Sequence, residues 1–192
     1  MAVIERLSLL PLTAHLLPGG RLKLRIFEQR YMRMVKDAMR DDVSIGICML
    51  NQQGNKSDNS HIWPLGTLAK IVDFEPLPDG LLGITVAGQQ RFRLKTIDTE
   101  KDQLRVGQAT LLENWPDQAL TREDELLRER LEEIYQTYPE LCELYAQRYT
   151  DNANWLCQRW LELLPLEGAT KQQLLAAESL DEVLDYLRQL IQ

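Results

Sequence analysis

The chain has 192 residues, of which 44% are hydrophobic and 27% are charged, and its formal net charge is −7. This length allows one large domain or two small ones with a buried core, and the composition is that of a globular protein. The acidic balance argues against a general nucleic-acid binder, which usually carries a basic surface.

Cysteines, histidines and long apolar runs are too sparse for several common kinds of site. The three cysteines, Cys48, Cys142 and Cys157, show no CxxC spacing, and the two histidines are His15 and His61. We therefore expect reduced thiols, no zinc site and no cofactor. The first residues lack the features of a secretory signal, and no run reaches the roughly 18 apolar residues of a membrane span. A cytoplasmic protein without a membrane segment is predicted.

Residues 1–114 are dominated by short strand patterns. Pro11 interrupts the first apolar segment, which predicts an edge strand or the end of a strand. Residues 21–26 alternate between apolar and charged side chains. From Phe27 to about Arg40 the apolar spacing is helical, so a strand is expected to run into a helix with almost no connection. Glu28 and Arg30 are placed in the first helical turn.

The pattern then returns to strands. Residues 43–50 alternate with one strongly apolar face, and the polar residues 51–60 predict a loop. Residues 62–74 and 82–94 predict a hairpin, with a break at Gly88, and a last strand covers about 104–112. Six or seven strands with a single helix are typical of a compact β-barrel or of two packed sheets.

From Trp115 onward the apolar spacing is helical, so residues 115–192 are predicted to form a second, all-α domain of four or five helices. Residues 180–191 carry a full amphipathic stripe. The overall fold class is therefore α+β. Three candidate capping boxes mark helix starts, pairing Thr121 with Asp124, Thr170 with Gln173 and Ser179 with Glu182.

The common nucleotide-binding and hydrolase motifs are absent. The chain contains no GxxxxGK[ST], GxGxxG, GxSxG or HExxH sequence. His15 and His61 lie in segments that we interpret as loop or strand edge, where a solvated histidine is expected rather than a catalytic base. The acidic pairs between residues 123 and 133 alternate with arginines, as on a solvated helix face. We expect no enzyme.

Two charged clusters have both a functional and a structural interpretation. Glu28 lies near a predicted helix start, where the dipole favours a carboxylate, and Arg25 or Arg30 is expected to pair with it and clamp the joint. Residues 91–95 place Arg91, Arg93 and Lys95 on one strand face. That face would suit a phosphate or an acidic peptide, but charged side chains there more often protect a strand against edge aggregation.

Several ordered motifs strongly resemble the N-terminal domain of Lon proteases. The resemblance covers most of the chain and depends on the spacing of the motifs, since none of them is specific alone. They are Leu10-Pro11-Leu12, Pro18-Gly19, the stretch from Leu22 to Tyr31, Gly66 to Ile71, Pro78-Asp79-Gly80, Gly88 to Phe92, and Lys171 to Leu175.

The resemblance implies a PUA-like β-domain followed by a helical bundle that engages polypeptides. Lon proteases continue with an ATPase module and a Ser-Lys peptidase module, and the sequence ends before either, so neither activity is expected. The family signature, expected to be structural, comprises Arg25, Phe27, Glu28, Arg30, Tyr31, Gly66, Gly88, Arg91 and Phe92.

The first functional hypothesis is a non-enzymatic module that binds unfolded or partly folded polypeptides, or a protease or chaperone partner, as an adaptor or regulator of proteolysis. Trp63, Trp115 and Trp155 are the candidate contacts. The alternative is RNA binding, because PUA-like folds elsewhere recognise RNA. The Arg91, Arg93 and Lys95 face would make that contact, and the acidic net charge weighs against it.

Overall fold

The computed structural model describes residues 2–192, which divide into two compact units, one ending at Glu113 and the other beginning at Asn114. The first unit has the expected strands and single helix. Their bounds are β1 Val3–Leu12, β2 Arg21–Ile26, α1 Gln29–Asp41, β3 Ile45–Leu50, β4 Ile62–Pro76, β5 Leu82–Thr99 and β6 Arg105–Leu111.

The strands form one mixed sheet in the order β2-β5-β4-β3-β1-β6. Only β1 and β3 run parallel, and every other pairing among residues 2–192 is antiparallel. Because β5 also pairs with β6, five of the strands close into a ring. β2 extends the sheet from β5, and its second edge has no strand partner in the described part of the chain.

The position of β1 decides between the two expectations for Pro11. β1 lies between β3 and β6, so the prediction of an edge strand is wrong. Pro11 is the next-to-last residue of β1, and the prediction of a strand end is confirmed. A proline is tolerated there because few ladder hydrogen bonds follow it.

Two apolar clusters fill the first unit, because alternate residues of a strand face opposite sides. Cys48 packs in a cluster around Phe92, whereas Ile47 belongs to a cluster that includes Met34 and Val35 of α1. Residues 45–49 are consequently all buried. The prediction of a single apolar face for this strand is therefore wrong.

β5 runs without interruption through Gly88, where the sequence predicts a break. The Gly88 N–H donates to the Gly20 carbonyl, and the Gly19 N–H donates to the Gly88 carbonyl. A Cβ atom at residue 88 would lie 2.2 Å from the Leu17 carbonyl oxygen. This glycine thus marks a close approach of two backbone segments, beside a bulge at Gln89, rather than the end of a strand.

The second unit is helical. A 3₁₀ turn at Arg122–Asp124 precedes five α-helices, in agreement with the expected four or five. Helix α4 contacts both α2 and α6, and its residues 153–161 are all buried, so it forms the centre of this unit. The helix bounds are α2 Glu125–Thr137, α3 Pro139–Cys142, α4 Ala153–Leu163, α5 Gly168–Leu175 and α6 Leu180–Leu190.

The helix starts follow the predicted capping residues in two of three cases. The Asp124 carboxylate accepts hydrogen bonds from the N–H and hydroxyl of Thr121, and the Ser179 hydroxyl accepts one from the Asp181 N–H at 3.2 Å. The capping box at Thr170 is wrong, because α5 already begins at Gly168. A local pattern of hydroxyl and amide side chains does not by itself fix where a helix begins.

Candidate functional site

A cavity of about 580 Å³ opens in the first unit where β2 passes into α1. Its apolar wall comes from the ends of β1 and β2, residues 10–12 and 24–26, together with Leu50. Its polar rim comes from the start of α1, from the loop between β3 and β4, and from the connection between β5 and β6. An apolar wall with a few polar groups is the usual composition of a ligand pocket.

The joint between β2 and α1 forms one side of this cavity. Glu28 is the N-cap of α1 in an extended conformation, and its carbonyl accepts hydrogen bonds from the N–H groups of Tyr31 and Met32. Its carboxylate lies 2.5 Å from the Arg30 guanidinium, which stacks on the Tyr31 ring at 5.0 Å. The predicted pairing of Glu28 with an arginine is therefore present, and Arg30 is the partner.

Phe27 does not belong to the apolar stripe of the helix, and that prediction is wrong. It precedes the N-cap, and its side chain is 66% exposed. Arg25, on the exposed side of β2, pairs with Asp79 instead of Glu28. The joint therefore presents an aromatic ring and a cation to solvent at the mouth of the cavity.

Lys56 and Arg105 on the opposite part of the rim are cations without a carboxylate partner among residues 2–192. The Arg105 guanidinium donates to Asn59 Oδ1 at 3.0 Å and to the carbonyls of Gln103 and Lys56 at 2.9 and 3.2 Å. These acceptors are neutral, so they hold the side chain in place without cancelling its charge. Lys56 is exposed and forms no salt bridge in the described part of the chain.

His61 lies in the same cavity and is only 7% exposed, so the expectation of a solvated histidine is wrong. Its Nδ1 atom has no hydrogen-bond partner among residues 2–192. Burial, together with the nearby Arg105 and Lys56 cations, lowers the pKa of His61 below its ordinary value, so the imidazole is neutral at pH 7. Burial also raises the pKa of the Tyr31 hydroxyl, although Arg30 and Arg105 oppose that shift.

The other signature residues lie in β4 and β5 and do not line the cavity; they are Gly66, Gly88, Arg91 and Phe92. Phe92 is fully buried, and a Cβ atom at Gly66 would lie 2.6 Å from its ring and 2.6 Å from the Ile47 carbonyl oxygen. The Gly66 position therefore leaves room for Phe92. Together with Gly88, these residues fit the structural role expected of the signature.

The predicted basic face of residues 91–95 is not a single surface. Arg91 is only 4% exposed, and its Nη2 donates to the Glu113 carbonyl at 2.6 Å. Burial lowers the pKa of Arg91 to about 10. Only Arg93 and Lys95 are exposed. The three-cation contact proposed for RNA therefore loses one of its members.

The tryptophans expected to contact polypeptides are mostly interior. Trp115 is buried, and its indole N–H donates to the Ala177 carbonyl at 2.8 Å. Trp155 is buried against Tyr145, with the Arg159 guanidinium 5.0 Å from its ring centroid. Trp63 on β4 is half-buried. None of the three lines the cavity.

Sequence reasoning missed Lys56, His61 and Arg105 as candidate site residues. They come from the β3–β4 loop, from its end and from the start of β6, and only the fold brings them together. No local pattern distinguished them, because each is a single polar residue among ordinary loop or strand sequence. Within residues 2–192, no three His, Cys, Asp or Glu side chains gather in a way that would hold a metal ion.

A second concavity of about 470 Å³ lies between β2 and the β4–β5 hairpin. Phe74, which is 55% exposed, lines it, and Lys23 and Glu75 add charges of both signs. This concavity is smaller and shares Leu24 and Arg25 with the cavity, whereas Phe74 lies outside the cavity and provides an aromatic reference.

Comparison with known proteins agrees with the motifs around the cavity. The family model described as the ATP-dependent protease La (LON) substrate-binding domain matches residues 6–192. The chain belongs to this family. A Lon N-terminal domain protein from Xanthomonas campestris is 31% identical, with a TM-score of 0.75 over 96% of this chain and 97% of that one. The Lon family of this chain is thus supported by both sequence and fold.

Two further matches differ in how much of the other protein they cover. The N-terminal domain of a Mycobacterium avium complex Lon protease superposes with a TM-score of 0.64 at 16% identity, over 95% of this chain and 96% of that chain. The Lon protease of Cytophaga hutchinsonii is 27% identical over 182 residues, which is 92% of this chain and 22% of that protease. The chain therefore spans about a fifth of this curated relative. No helix within residues 2–192 has the length and apolar character that crossing a bilayer requires.

Proposed function

We propose that this protein is a non-enzymatic module that binds unfolded or partly folded polypeptides. The observation that carries the proposal is the cavity of about 580 Å³ at the β2–α1 joint, with an apolar wall and an exposed Phe27 at its mouth. An exposed aromatic ring beside an apolar pocket offers unfolded chains the surface that folded proteins keep inside.

The free edge of β2 adds a second means of binding. β2 forms ladder hydrogen bonds with β5 on one side only, and residues 24–26 of this strand also line the cavity. An extended polypeptide can pair with such an edge through its backbone and place alternate side chains in an adjacent pocket. Backbone pairing depends little on sequence, which suits a module that recognises unfolded chains.

We extend this proposal to the fold class of the two units and to the kind of partner. We place the closed β-unit in the PUA-like class, and the helical unit as a bundle that follows it. The partner would be an unfolded substrate, or a protease or chaperone to which the protein delivers one, as an adaptor or regulator of proteolysis. The family membership supports a role in substrate recognition, since the matching family model describes a substrate-binding domain.

Phe27→Ser is the variant that tests the proposal. Phe27 is exposed, so its replacement leaves the fold intact, and we expect several-fold weaker binding of a permanently unfolded protein. Binding would be measured by fluorescence anisotropy of the labelled unfolded chain. Phe74→Ser removes an aromatic ring of similar exposure from the other concavity and is the matched control.

Two results would contradict the proposal. Equal affinity of the wild type and Phe27→Ser would exclude the cavity mouth as the contact. Equal binding of the folded and unfolded forms of the same test protein would exclude recognition of the unfolded state.

A further inference from the structure

The cavity rim is positively charged although the whole chain carries a net charge of −7. Its cations are Arg25, Arg30, Lys56 and Arg105, and its single carboxylate is Glu28. Arg25 and Arg30 have acidic partners, whereas Lys56 and Arg105 have none within residues 2–192. Two uncompensated cations beside an apolar wall indicate a ligand that is both anionic and apolar.

The Arg105 guanidinium is fixed relative to the backbone of Lys56. Arg105 donates to the backbone carbonyl of Lys56, and its other hydrogen bonds to Asn59 and Gln103 tie the loop to the start of β6. A guanidinium held by neutral acceptors retains its full charge and loses little conformational freedom when an anion binds. The Arg105 guanidinium is therefore preorganised before a ligand arrives, whereas the Lys56 side chain is exposed.

His61 supplies a second, independent observation. More than nine-tenths of its surface is buried, it lines the cavity, and its Nδ1 atom has no partner among residues 2–192. A buried polar atom left without a hydrogen bond costs free energy, unless a ligand or water completes it.

Two acidic groups lie near the rim cations, and only Glu28 is paired with a cation, whereas Asp58 keeps its charge but does not line the cavity. The Asp58 carboxylate accepts hydrogen bonds from the Ser60 hydroxyl and N–H at 2.6 and 3.0 Å, and the Glu28 carboxylate pairs with Arg30. Neither forms a salt bridge with Lys56 or Arg105. The positive end of the rim therefore stays available for a ligand.

We propose that the cavity binds the carboxyl terminus of a polypeptide that ends in apolar residues. The α-carboxylate would lie against Lys56 and Arg105, and the last side chains would pack on the wall formed by Leu24 and Leu50. This inference rests on the proposed function and specifies which part of a polypeptide the cavity takes.

The shape and chemistry of the cavity favour a chain end over other anions. Pockets that enclose small ligands have volumes of roughly 300–1,000 Å³, and the cavity of about 580 Å³ falls within this range. It therefore has room for a few groups of atoms at the end of a chain and not for a folded segment. A terminal residue carries its carboxylate and its apolar side chain on one Cα atom, which matches a basic rim beside an apolar wall. A phosphodiester group has no apolar side chain attached to it that would pack on this wall.

The test uses peptides of one sequence ending in leucine, labelled at the N-terminus and measured by fluorescence anisotropy on the full chain. We expect the free acid to bind roughly tenfold more tightly than the C-terminal amide, since the amide loses charge-assisted hydrogen bonds. An amidated peptide with an internal glutamate should resemble the plain amide. Lys56→Gln should weaken the free acid several-fold and leave the amide unchanged.

Arg93→Gln is the matched control, because it removes one exposed cation that does not line the cavity. Equal affinity of acid and amide would overturn the chain-end inference, and so would tight binding of the internal-glutamate peptide. Displacement of the peptide by an RNA oligonucleotide, with loss of RNA binding in Lys56→Gln, would assign the site to phosphate instead. If an unfolded protein binds but neither the free acid nor the amide peptide does, only the chain-end inference is overturned. If none of these ligands binds, the proposed function is overturned too.

Discussion

Two regions of the first unit place an arginine next to an aromatic residue, and both come from motifs typical of the Lon family. Phe92 is fully buried in the cluster that contains Leu7 and Cys48, whereas Arg91, on the opposite face of β5, is 4% exposed. Arg30 and Tyr31 lie at the wall of a solvent-accessible cavity and are only half-buried. The same residue types therefore serve different purposes, and burial distinguishes them.

The two regions differ in whether their positive charges are accessible to a ligand. The Arg91 guanidinium donates to a backbone carbonyl, and burial lowers its pKa to about 10, so it contributes to packing. At the cavity, Lys56 and Arg105 line the same rim as Arg30 and have no carboxylate partners within residues 2–192. A charge that the fold has not compensated is available to a ligand, whereas a buried and hydrogen-bonded one is not.

The buried region should respond most strongly to a change in volume. Gly88→Ala places a Cβ atom against the Leu17 carbonyl, and one of the two backbone segments must move. We expect a loss of about 1–3 kcal/mol in the free energy of unfolding, measured by chemical denaturation. Gly83→Ala on the same strand is the control, because its Cβ would be 3.2 Å from the flexible Glu75 side chain. Equal effects of both variants would contradict a special role for Gly88.

A smaller effect is expected at the joint. Glu28→Ala removes the ion pair with Arg30, which is partly exposed and therefore screened by solvent. We expect a loss of roughly 0.2–1 kcal/mol and a lower melting temperature, with no loss of polypeptide binding by the folded protein. Glu75→Ala removes an exposed carboxylate outside the cavity as a control. Weaker binding at unchanged stability would make Glu28 a binding residue instead of a clamp.

The smallest expected effect is on the dependence of stability on pH. The pKa of His61 is lowered in the folded state by burial and by Arg105 and Lys56, while Asp58 opposes the shift. Below pH 6.5, the ordinary pKa of histidine, the unfolded chain therefore binds more protons than the folded chain. The contribution of the neutral His61 to stability is fully present above that pH and is lost as the solution is acidified. His61→Gln should flatten the stability profile between pH 7 and 5. An unchanged profile would contradict the lowered pKa.

The sequence predicts local elements better than the site they form. The change of period near Ile26 marks the β2–α1 joint, because spacing along one segment is enough to reveal a strand that runs into a helix. The local sequence predicts a break at Gly88, but a glycine is required there by the close approach of the Leu17 carbonyl, which lies about seventy residues away in the chain. His61 follows a polar loop, and its burial depends on neighbours from β6 that no local pattern includes.

A titration of the isotope-labelled protein with a permanently unfolded polypeptide, followed by amide NMR, tests the central claim most directly. The account predicts shifts concentrated in residues 24–31, 56–61 and 103–105, the segments that contain most of the residues lining the cavity. Amides near Phe74 in the second concavity should remain unchanged. Shifts confined to the helical unit or to the outer face of β5, with the cavity residues unaffected, would contradict it.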